Sequence, residues 1–382
     1  MNRFTLAVVA ATVSTSSAFA GGLDRSGQRI GFMFEEGNYA ELSFGYAKPS
    51  VDGNDVAAFG GQASGNAADN FIVPGVSVKA DLNENVSFGF VIDEPYGSDI
   101  SYPAAGSVAL GGTKAIVDSY AITALGRYKF GNGFSVLGGV RYQEISADVT
   151  LRGAAYGALG AGAGYNGAFA SDGAWGYVAG VAYERPEIAL RVALTYNSQI
   201  DHELDTVETS ALAPGGQVRS KTDIRSPESL NLEFQTGVAK DTLVFGSIRY
   251  AKYDETIVSP TFFDAAVDPA IQNTSLTTIE NSTDFEIGVG RRITDRFSAS
   301  LTLGYATKGD DDLVSPLSPV NGSKSIAIGA SYLVTDQVKL SGGIRYTALG
   351  DARPETGTPD TARANFTDNS VIGVGFRVGY SF

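Results

Sequence analysis

The chain has 382 residues, no cysteine, one histidine and a net charge of −14 at pH 7. The missing cysteine excludes a disulfide scaffold, and without Cys/His clusters a zinc centre is excluded as well. The acidic balance argues against nucleic acid as a partner. The composition indicates no cofactor.

The first twenty residues have the pattern of an export signal. Arg3 precedes an apolar run over residues 4–13, and Ala18-Phe19-Ala20 has the small residues of a cleavage site. The run is too short to span a bilayer as a helix. We therefore expect residues 1–20 to be a cleaved signal peptide, with an uncleaved anchor as the alternative.

Residues 21–38 differ in character from the rest of the chain. They include the apolar triplet Phe32-Met33-Phe34 and are too few to form a domain. They are either a disordered leader or a plug folded into a lumen. The apolar triplet favours the plug.

Alternation of apolar and polar residues dominates the remaining sequence. In the last segment Phe376, Val378 and Tyr380 fall on one face, and Arg377 and Gly379 fall on the other. In a membrane barrel the apolar face contacts lipid and the polar face lines the lumen.

Fourteen segments alternate in this way, an even number that suits a bacterial single-chain barrel. The sequence therefore predicts an all-β fold, a fourteen-stranded antiparallel transmembrane β-barrel over residues 39–382. The predicted strands are 39–48, 70–82, 85–93, 114–130, 133–150, 172–184, 187–203, 226–239, 241–257, 277–292, 295–308, 323–334, 337–349 and 367–382.

The connections alternate in length. Outer-membrane barrels have short periplasmic turns and long outer loops, so both chain ends are expected on the periplasmic side. Six short turns fall at 83–84, 131–132, 185–186, 240–241, 294–295 and 335–336. Seven long loops fall at 49–69, 94–113, 151–171, 204–225, 258–276, 309–322 and 350–366.

Aromatic residues recur at matching heights on the predicted strands. Outward tyrosines about nine residues after a short turn suit an outer girdle at the membrane interface, and a second set suits an inner girdle. The outer set is Tyr142, Tyr196, Tyr250, Tyr305 and Tyr346, and the inner set is Tyr128, Phe130, Tyr183, Tyr332, Tyr380 and Phe382.

Three girdle tyrosines follow an arginine, which places Arg141, Arg249 and Arg345 in the lumen. These arginines either pair with lumenal acids such as Glu286 or hold the carboxylate of a passing substrate. Pairing with acids is the favoured interpretation.

A transporter of hydrophobic substrates would need apolar contacts inside an otherwise polar barrel. Leu243 and Phe245 point inward by parity. Phe262 and Phe263 follow Pro260 in a predicted loop and would be exposed aromatics at the outer mouth.

The sequence has no enzyme constellation. His202 lies near a predicted strand end, where we expect it to be solvated rather than oriented beside a nucleophilic serine. The protein is therefore not expected to be an enzyme.

One part of the chain resembles the FadL/TodX family of outer-membrane transporters of hydrophobic compounds. The resemblance is most specific over 172–255 and extends more weakly from about residue 40 to the end. It is carried by Trp175-Gly176-Tyr177, Gly180, Tyr183, Arg191, Ala193-Leu194-Thr195-Tyr196-Asn197-Ser198, Pro227-Glu228-Ser229-Leu230, Ser247-Ile248-Arg249-Tyr250 and Gly379-Tyr380-Ser381-Phe382.

The resemblance implies a monomeric barrel, plugged by an N-terminal hatch, that imports long-chain fatty acids or other hydrophobic small molecules. It implies a lateral exit at a kink in the third strand, for which Gly89 and Pro95 are candidates. Residues 21–38 are shorter than the usual hatch and lack its Asn-Pro-Ala segment. The candidate substrate-binding residues are Phe32, Phe34, Arg141, Leu243, Phe245, Arg249, Phe262, Phe263 and Arg345.

Two other functions stay open at this point. A general diffusion porin for small polar solutes would need an open polar lumen, and a surface adhesin would bind partners through its loops. In each case outer-membrane lipid and lipopolysaccharide would surround the barrel.

Overall fold

Fourteen antiparallel strands close into one barrel in the computed structural model, which describes residues 23–159, 164–267, 274–357 and 359–382. Strand β1 (Tyr39–Ser50) pairs with both β2 (Phe71–Asp81) and β14 (Ser370–Ser381). Phe44 lies opposite Phe376 across the closing seam. Closure gives backbone amides and carbonyls partners within the sheet, as lipid surroundings require. The predicted fold class is confirmed, and the last strand closes the barrel against the first.

The other barrel strands follow in chain order, and three of them are interrupted. They are β3 (Val86–Asp93, then Gly97–Ser101), β4 (Lys114–Lys129), β5 (Phe134–Leu151), β6 (Tyr165–Arg185), β7 (Leu190–Asn197, then Ile200–Ser210), β8 (Gln217–Ser226, then Glu228–Ala239), β9 (Thr242–Lys252), β10 (Ser282–Arg292), β11 (Phe297–Ala306), β12 (Ser323–Leu333), β13 (Val338–Leu349) and β14.

Short elements occupy the outer loops and the N-terminal segment. The helix α1 (Thr261–Val267) lies between β9 and β10. The 3-10 helices are Gly31–Phe34, Ala57–Phe59, Ala154–Leu159, Pro186–Ile188 and Pro214–Gly216. Small loop sheets join Gly53–Asp55 to Ala364–Phe366, and Arg353–Thr356 to Leu313–Val314 and Thr361–Ala362. No helix in the described residues has the length and apolar character needed to cross a membrane.

The two faces of the sheet divide as the alternation predicted. On β14, Phe376 is 50% exposed on the outside, and Tyr380 is exposed beside Phe382 at the inner edge. The outer girdle is present too, with Tyr250, Tyr305 and Tyr346 exposed. The lipid-facing surface is therefore a continuous apolar band with aromatic borders.

Strand lengths differ from the prediction on one side of the barrel. Strand β6 begins at Tyr165 rather than 172, and β7 and β8 form a hairpin through most of the predicted loop 204–225. This hairpin alternates outward Asp201 and Glu203 with inward His202 and Leu204. The many charged residues of this hairpin are typical of a loop. They are compatible with strands here because the hairpin extends above the membrane, where the outer face of the sheet contacts water.

The predicted strands 241–257 and 277–292 reach too far into the outer loop, since β9 ends at Lys252 and β10 begins at Ser282. The signal peptide expected over residues 1–20 lies outside the described residues.

Candidate functional site

An apolar cavity of about 70 Å³ lies in the outer half of the lumen. We call it the outer cavity, and its walls come from β3 to β8, the outer loops and Leu23. Representative lining residues are Ile145, Val149, Phe169, Leu204, Ile224 and Leu276. Among the described residues that line it, Arg225 alone carries a charge, and its guanidinium lies 2.6 Å from Asp201 and 2.5 Å from Glu255.

The sequence of β5 explains why the lumen turns apolar at this height. Its inward positions are Arg141 and Gln143 near the girdle, then Ile145, Ala147 and Val149 above it. Because side chains alternate with period two, this switch puts consecutive apolar residues on the inner wall. Inward parity continued beyond Tyr142 identifies Ile145, Ala147 and Val149, which are not among the predicted substrate-binding residues.

The helix α1 packs into the apolar cluster that includes residues lining the outer cavity. Phe262 and Phe263 are buried in the same apolar cluster as Ile145 and Leu204. The fully buried carboxylate of Glu208 accepts hydrogen bonds from the backbone N–H groups of both phenylalanines, each at 2.8 Å. An acceptor at the start of a helix satisfies amides that have no partner within the helix.

Residues 23–38, which we call the hatch segment, pack against inward-facing side chains of the barrel. Asp24 lies 2.8 Å from the buried Arg249, which also donates to Ser229 and Asn231. Arg29 lies 2.6 Å from Glu286. The ion pairs therefore hold the hatch segment to β9 and β10 from within the lumen.

The other end of the hatch segment is held by packing and by a lysine. Met33 is fully buried in a cluster that includes Leu125 and Leu137 of the barrel wall. The ammonium of Lys79 donates to the backbone carbonyls of Glu35 and Gly37 at 2.9 and 2.7 Å.

Strand β3 is interrupted where the hatch segment begins. Between its two parts β3 has Glu94, Pro95 and Tyr96 where β4 has only two residues, which makes a bulge. The ladder between β2 and β3 ends at Gly75–Asp93 and resumes at Ala68–Ile100. The barrel wall therefore has a local gap between β2 and β3.

The hatch segment fills this gap with its own backbone and one side chain. The N–H groups of Arg25 and Ser26 donate to the carbonyls of Pro95 and Glu94, and the N–H of Gly97 donates to Leu23. The guanidinium of Arg25 lies 3.5 Å from the ring centroid of Phe71 and 2.8 Å from Asp99. Arg25 thus bridges β2 and the upper part of β3.

A second cavity, of about 320 Å³, lies in the inner half of the lumen. Its lining mixes apolar residues such as Val91 with charged residues such as Asp93. Leu23 lines the outer cavity and Ser26 lines this inner cavity. The first residues of the hatch segment therefore separate the two cavities beside the gap in the wall.

Comparison with known proteins identifies the family. The family model described as outer membrane protein transport protein (OMPP1/FadL/TodX) matches residues 31–382. The chain belongs to this family. It is thus a transport protein of the outer membrane and not an enzyme. A search of curated proteins found no significant match.

Solved structures of FadL/TodX proteins share the fold at low sequence identity. A Pseudomonas aeruginosa FadL homologue has a TM-score of 0.73 at 13% identity, covering 92% of this chain and 91% of its own. The Pseudomonas putida toluene transporter TodX has a TM-score of 0.63 at 14% identity, covering 91% of each chain. The Ralstonia pickettii toluene transporter TbuX has a TM-score of 0.58 at 13% identity, covering 96% and 92%.

The predicted apolar contacts divide between the two ends of this FadL/TodX barrel. Phe32, Phe34 and Phe245 line the inner cavity, and Leu243 is buried beside Phe245. The predicted exposure of Phe262 and Phe263 is wrong, since both lie beneath the surface on α1. Their burial could not be predicted from the sequence, which gives no sign that Glu208 accepts hydrogen bonds from both backbone N–H groups.

The three lumenal arginines all have protein partners. Arg141 donates to Thr123 at 2.9 Å, Arg249 pairs with Asp24, and Arg345 lies 2.6 Å from Glu286. Pairing with acids was the favoured interpretation, and it holds for Arg249 and Arg345. The partner of Arg249 is Asp24, which belongs to the hatch segment and not, as predicted, to the barrel wall.

The two kink candidates occupy different places. Strand β3 is continuous through Gly89, where a side chain would collide with Met33 and Phe32 of the hatch segment. Pro95 lies in the interruption itself and has no N–H to donate. The hatch segment therefore contacts Gly89 from inside and Pro95 through its backbone.

His202 is not solvated as the sequence suggested. It is 3% exposed, and its ring nitrogens lie 3.3 Å from Asp172 and 3.2 Å from the amide nitrogen of Gln143. In the described part of the chain, no group of three His, Asp or Glu residues could hold a metal ion.

Proposed function

We propose that this protein passes small hydrophobic molecules across the outer membrane by passive diffusion. The observation that carries the proposal is the outer cavity, whose lining is mainly apolar and includes a single charged residue among those described. Apolar walls favour a hydrophobic ligand because both surfaces leave water on binding. The solved TodX and TbuX structures carry the description of toluene transporters.

We propose a route that leads from the outer cavity to a lateral exit. Cargo enters beneath α1, displaces residues 23–28 of the hatch segment, and leaves through the gap between β2 and β3. The hatch segment replaces part of the wall ladder there with three backbone hydrogen bonds. Such local pairing can open without unfolding the barrel. Residues 21–38 then act as the plug that follows a cleaved signal over residues 1–20.

The lining of the outer cavity bears on the choice between fatty acids and uncharged compounds. A carboxylate needs a cation or several donors when it leaves water. Arg225, the one charged residue among the described lining, is already paired with Asp201 and Glu255. Long-chain fatty acids remain a candidate cargo, but this electrostatic setting favours an uncharged molecule.

The occupied lumen also bears on the porin alternative. Residues 23–38 cross between opposite parts of the wall and are tied there by the buried pair Asp24–Arg249 and the partly buried pair Arg29–Glu286. We propose a barrel that works as a monomer, with lipid and lipopolysaccharide around it and little steady ion conductance.

Uptake in cells tests the proposed function. We expect expression in a Gram-negative strain that lacks its own transporter of this family to raise the initial uptake rate of radiolabelled toluene at least several-fold, and that of oleate less. An empty vector is the control. Unchanged uptake of both compounds, or a large steady conductance in a planar bilayer, would contradict the proposal.

A further inference from the structure

The hatch-facing end of the outer cavity has buried polar atoms that lack partners. Thr256 lines this end together with Leu23, Tyr96 and Ser226. Its hydroxyl is buried and has no hydrogen-bond partner among the residues that the structure describes. Tyr253 packs in one cluster with Tyr96 and Leu23, and its hydroxyl is also buried without a hydrogen-bond partner among the described residues. Buried polar groups normally have partners, so each such group calls for a physical reason.

A third unpartnered atom is the side-chain oxygen of Gln143. Gln143 is 1% exposed and lies next to the cavity, since its amide nitrogen is 3.0 Å from Ser226 Oγ. The same nitrogen is 3.2 Å from His202 Nε2. Within the described residues, Gln143 Oε1 has no hydrogen-bond partner.

A chain of hydrogen bonds fixes which way this amide points. His202 Nδ1 lies 3.3 Å from the Asp172 carboxylate and donates to it. In a neutral imidazole the other nitrogen is then an acceptor, so it needs a donor from Gln143. The Ser226 hydroxyl donates to the carbonyl of Ile200, so its oxygen also accepts from Gln143. Both amide hydrogens are used, and Oε1 is left as a free acceptor.

We infer that the cargo is a hydrophobic molecule with an uncharged hydroxyl group, which donates to Gln143 Oε1 and is contacted by the hydroxyl of Thr256. This inference rests on the proposed function and names the substrate class for its outer cavity. The cavity of about 70 Å³ must widen to hold a ring, and the inference requires that it widens toward Gln143 and Thr256, whose unpartnered atoms the closed cavity leaves covered. His202 and Asp172 are positioning residues, because they act on the cargo only through Gln143.

The same arrangement disfavours a carboxylate. An ionised carboxylate accepts hydrogen bonds and cannot donate them, so it would face another acceptor in Gln143 Oε1. Glu255, which precedes Thr256, is paired with Arg225 and Lys252, so neither of these cations is free to receive the carboxylate of a ligand. A hydrocarbon without a polar group would fit the walls but leave Gln143 Oε1 and the Thr256 hydroxyl without partners.

Three probes that differ in one substituent test the inference: toluene, para-cresol and para-toluate. Binding is measured by equilibrium dialysis on the protein in lipid nanodiscs, with empty nanodiscs subtracted. We expect para-cresol to bind about three- to tenfold more tightly than toluene, the range expected for one net hydrogen bond. We expect para-toluate to bind most weakly.

Gln143→Leu should remove the preference for para-cresol and leave toluene binding unchanged or stronger. Gln235→Leu is the matched control, since Gln235 lines the inner cavity and should leave the preference intact. Thr256→Val, which keeps the side-chain shape, should weaken para-cresol binding and decides the matter if Gln143→Leu does not fold.

The outcomes distinguish a failure of the hydroxyl assignment from a failure of the proposed transport function. Equal binding of toluene and para-cresol by the wild type, or an unchanged preference in both Gln143→Leu and Thr256→Val, would overturn the hydroxyl assignment and leave the proposed function standing. Binding of none of the three probes would overturn both.

Discussion

Replacing Arg249 by methionine is expected to release the first part of the hatch segment from the barrel wall. Arg249 donates two hydrogen bonds to Asp24 and one to Gln28, and all three residues are buried. Removing one partner of a buried ion pair costs about 3–5 kcal/mol because the other charge is left unpaired. A cost near 3 kcal/mol corresponds to about a 100-fold rise in the detached population.

Trypsin cleavage after Arg25 and Arg29 measures this release. Arg25 is 2% exposed in the folded protein, so wild type should be cleaved slowly, and Arg249→Met should be cleaved about 100-fold faster if opening precedes cleavage. Conductance in a planar bilayer should rise as well. Asp24→Asn combined with Arg249→Met should restore part of the protection, because no unpaired charge remains.

Arg292→Met is the matched control for this experiment. Arg292 also forms an ion pair, with Asp241, but the pair lies at a periplasmic turn. This variant should resist trypsin at the hatch as wild type does. Protection of the hatch in Arg249→Met equal to that of the wild type would show that the ion pair does not hold it.

Filling the outer cavity should have the second large effect. Ala147 lines the cavity, and a phenylalanine there would occupy space of about one aromatic ring. Overpacking costs about 1–3 kcal/mol, which a barrel with fourteen paired strands should survive. We expect Ala147→Phe to reduce toluene uptake by roughly tenfold or more while the barrel still folds.

Ala168→Phe provides the control at the same height on the opposite face. Ala168 on β6 lies across from Asp148 on β5. The side chain of Ala168 is exposed on the outside of the sheet. Heat-dependent mobility on denaturing gels reports that each variant has folded. Uptake by Ala147→Phe equal to that of Ala168→Phe would show that cargo does not use the outer cavity.

The barrel could be predicted because its two signals are local in the sequence. Alternation of apolar and polar residues is visible within one strand, and the length of a connection is visible between two consecutive strands. The strand count and the seam between β1 and β14 follow from such local patterns. The part of the β7–β8 hairpin beyond residue 203 was missed because charged residues such as Asp205, Arg219 and Lys221 are typical of a loop, whereas here they lie on the water-exposed outer face of the strands.

The contacts of the site were harder to predict because they join distant parts of the chain. Parity placed Arg249 in the lumen, but nothing in the sequence links it to Asp24, 225 positions earlier. Glu208 and α1 meet in the same way across 54 positions. The change from polar to apolar inward residues on β5, which begins at Ile145, could be predicted from the sequence. The bulge at Pro95 could not, because it depends on how β3 and β4 pair.

A reversible cross-link between the hatch segment and the wall tests the lateral route most directly. The chain has no native cysteine, so two introduced cysteines can pair only with each other. Ser26 Oγ lies 2.5 Å from the Asp93 carboxylate at the gap, so Ser26→Cys with Asp93→Cys would lock the hatch segment to β3. Asp81→Cys with Ser87→Cys joins β2 to β3 below the gap, where Ser87 Oγ lies 2.6 Å from Asp81, and serves as the control.

Toluene uptake by both double variants is then measured under oxidising conditions and after reduction. The lateral route predicts that oxidation blocks uptake in the variant at positions 26 and 93, that reduction restores it, and that the variant at positions 81 and 87 is indifferent to both treatments. Full uptake with the 26–93 cross-link formed would contradict the route.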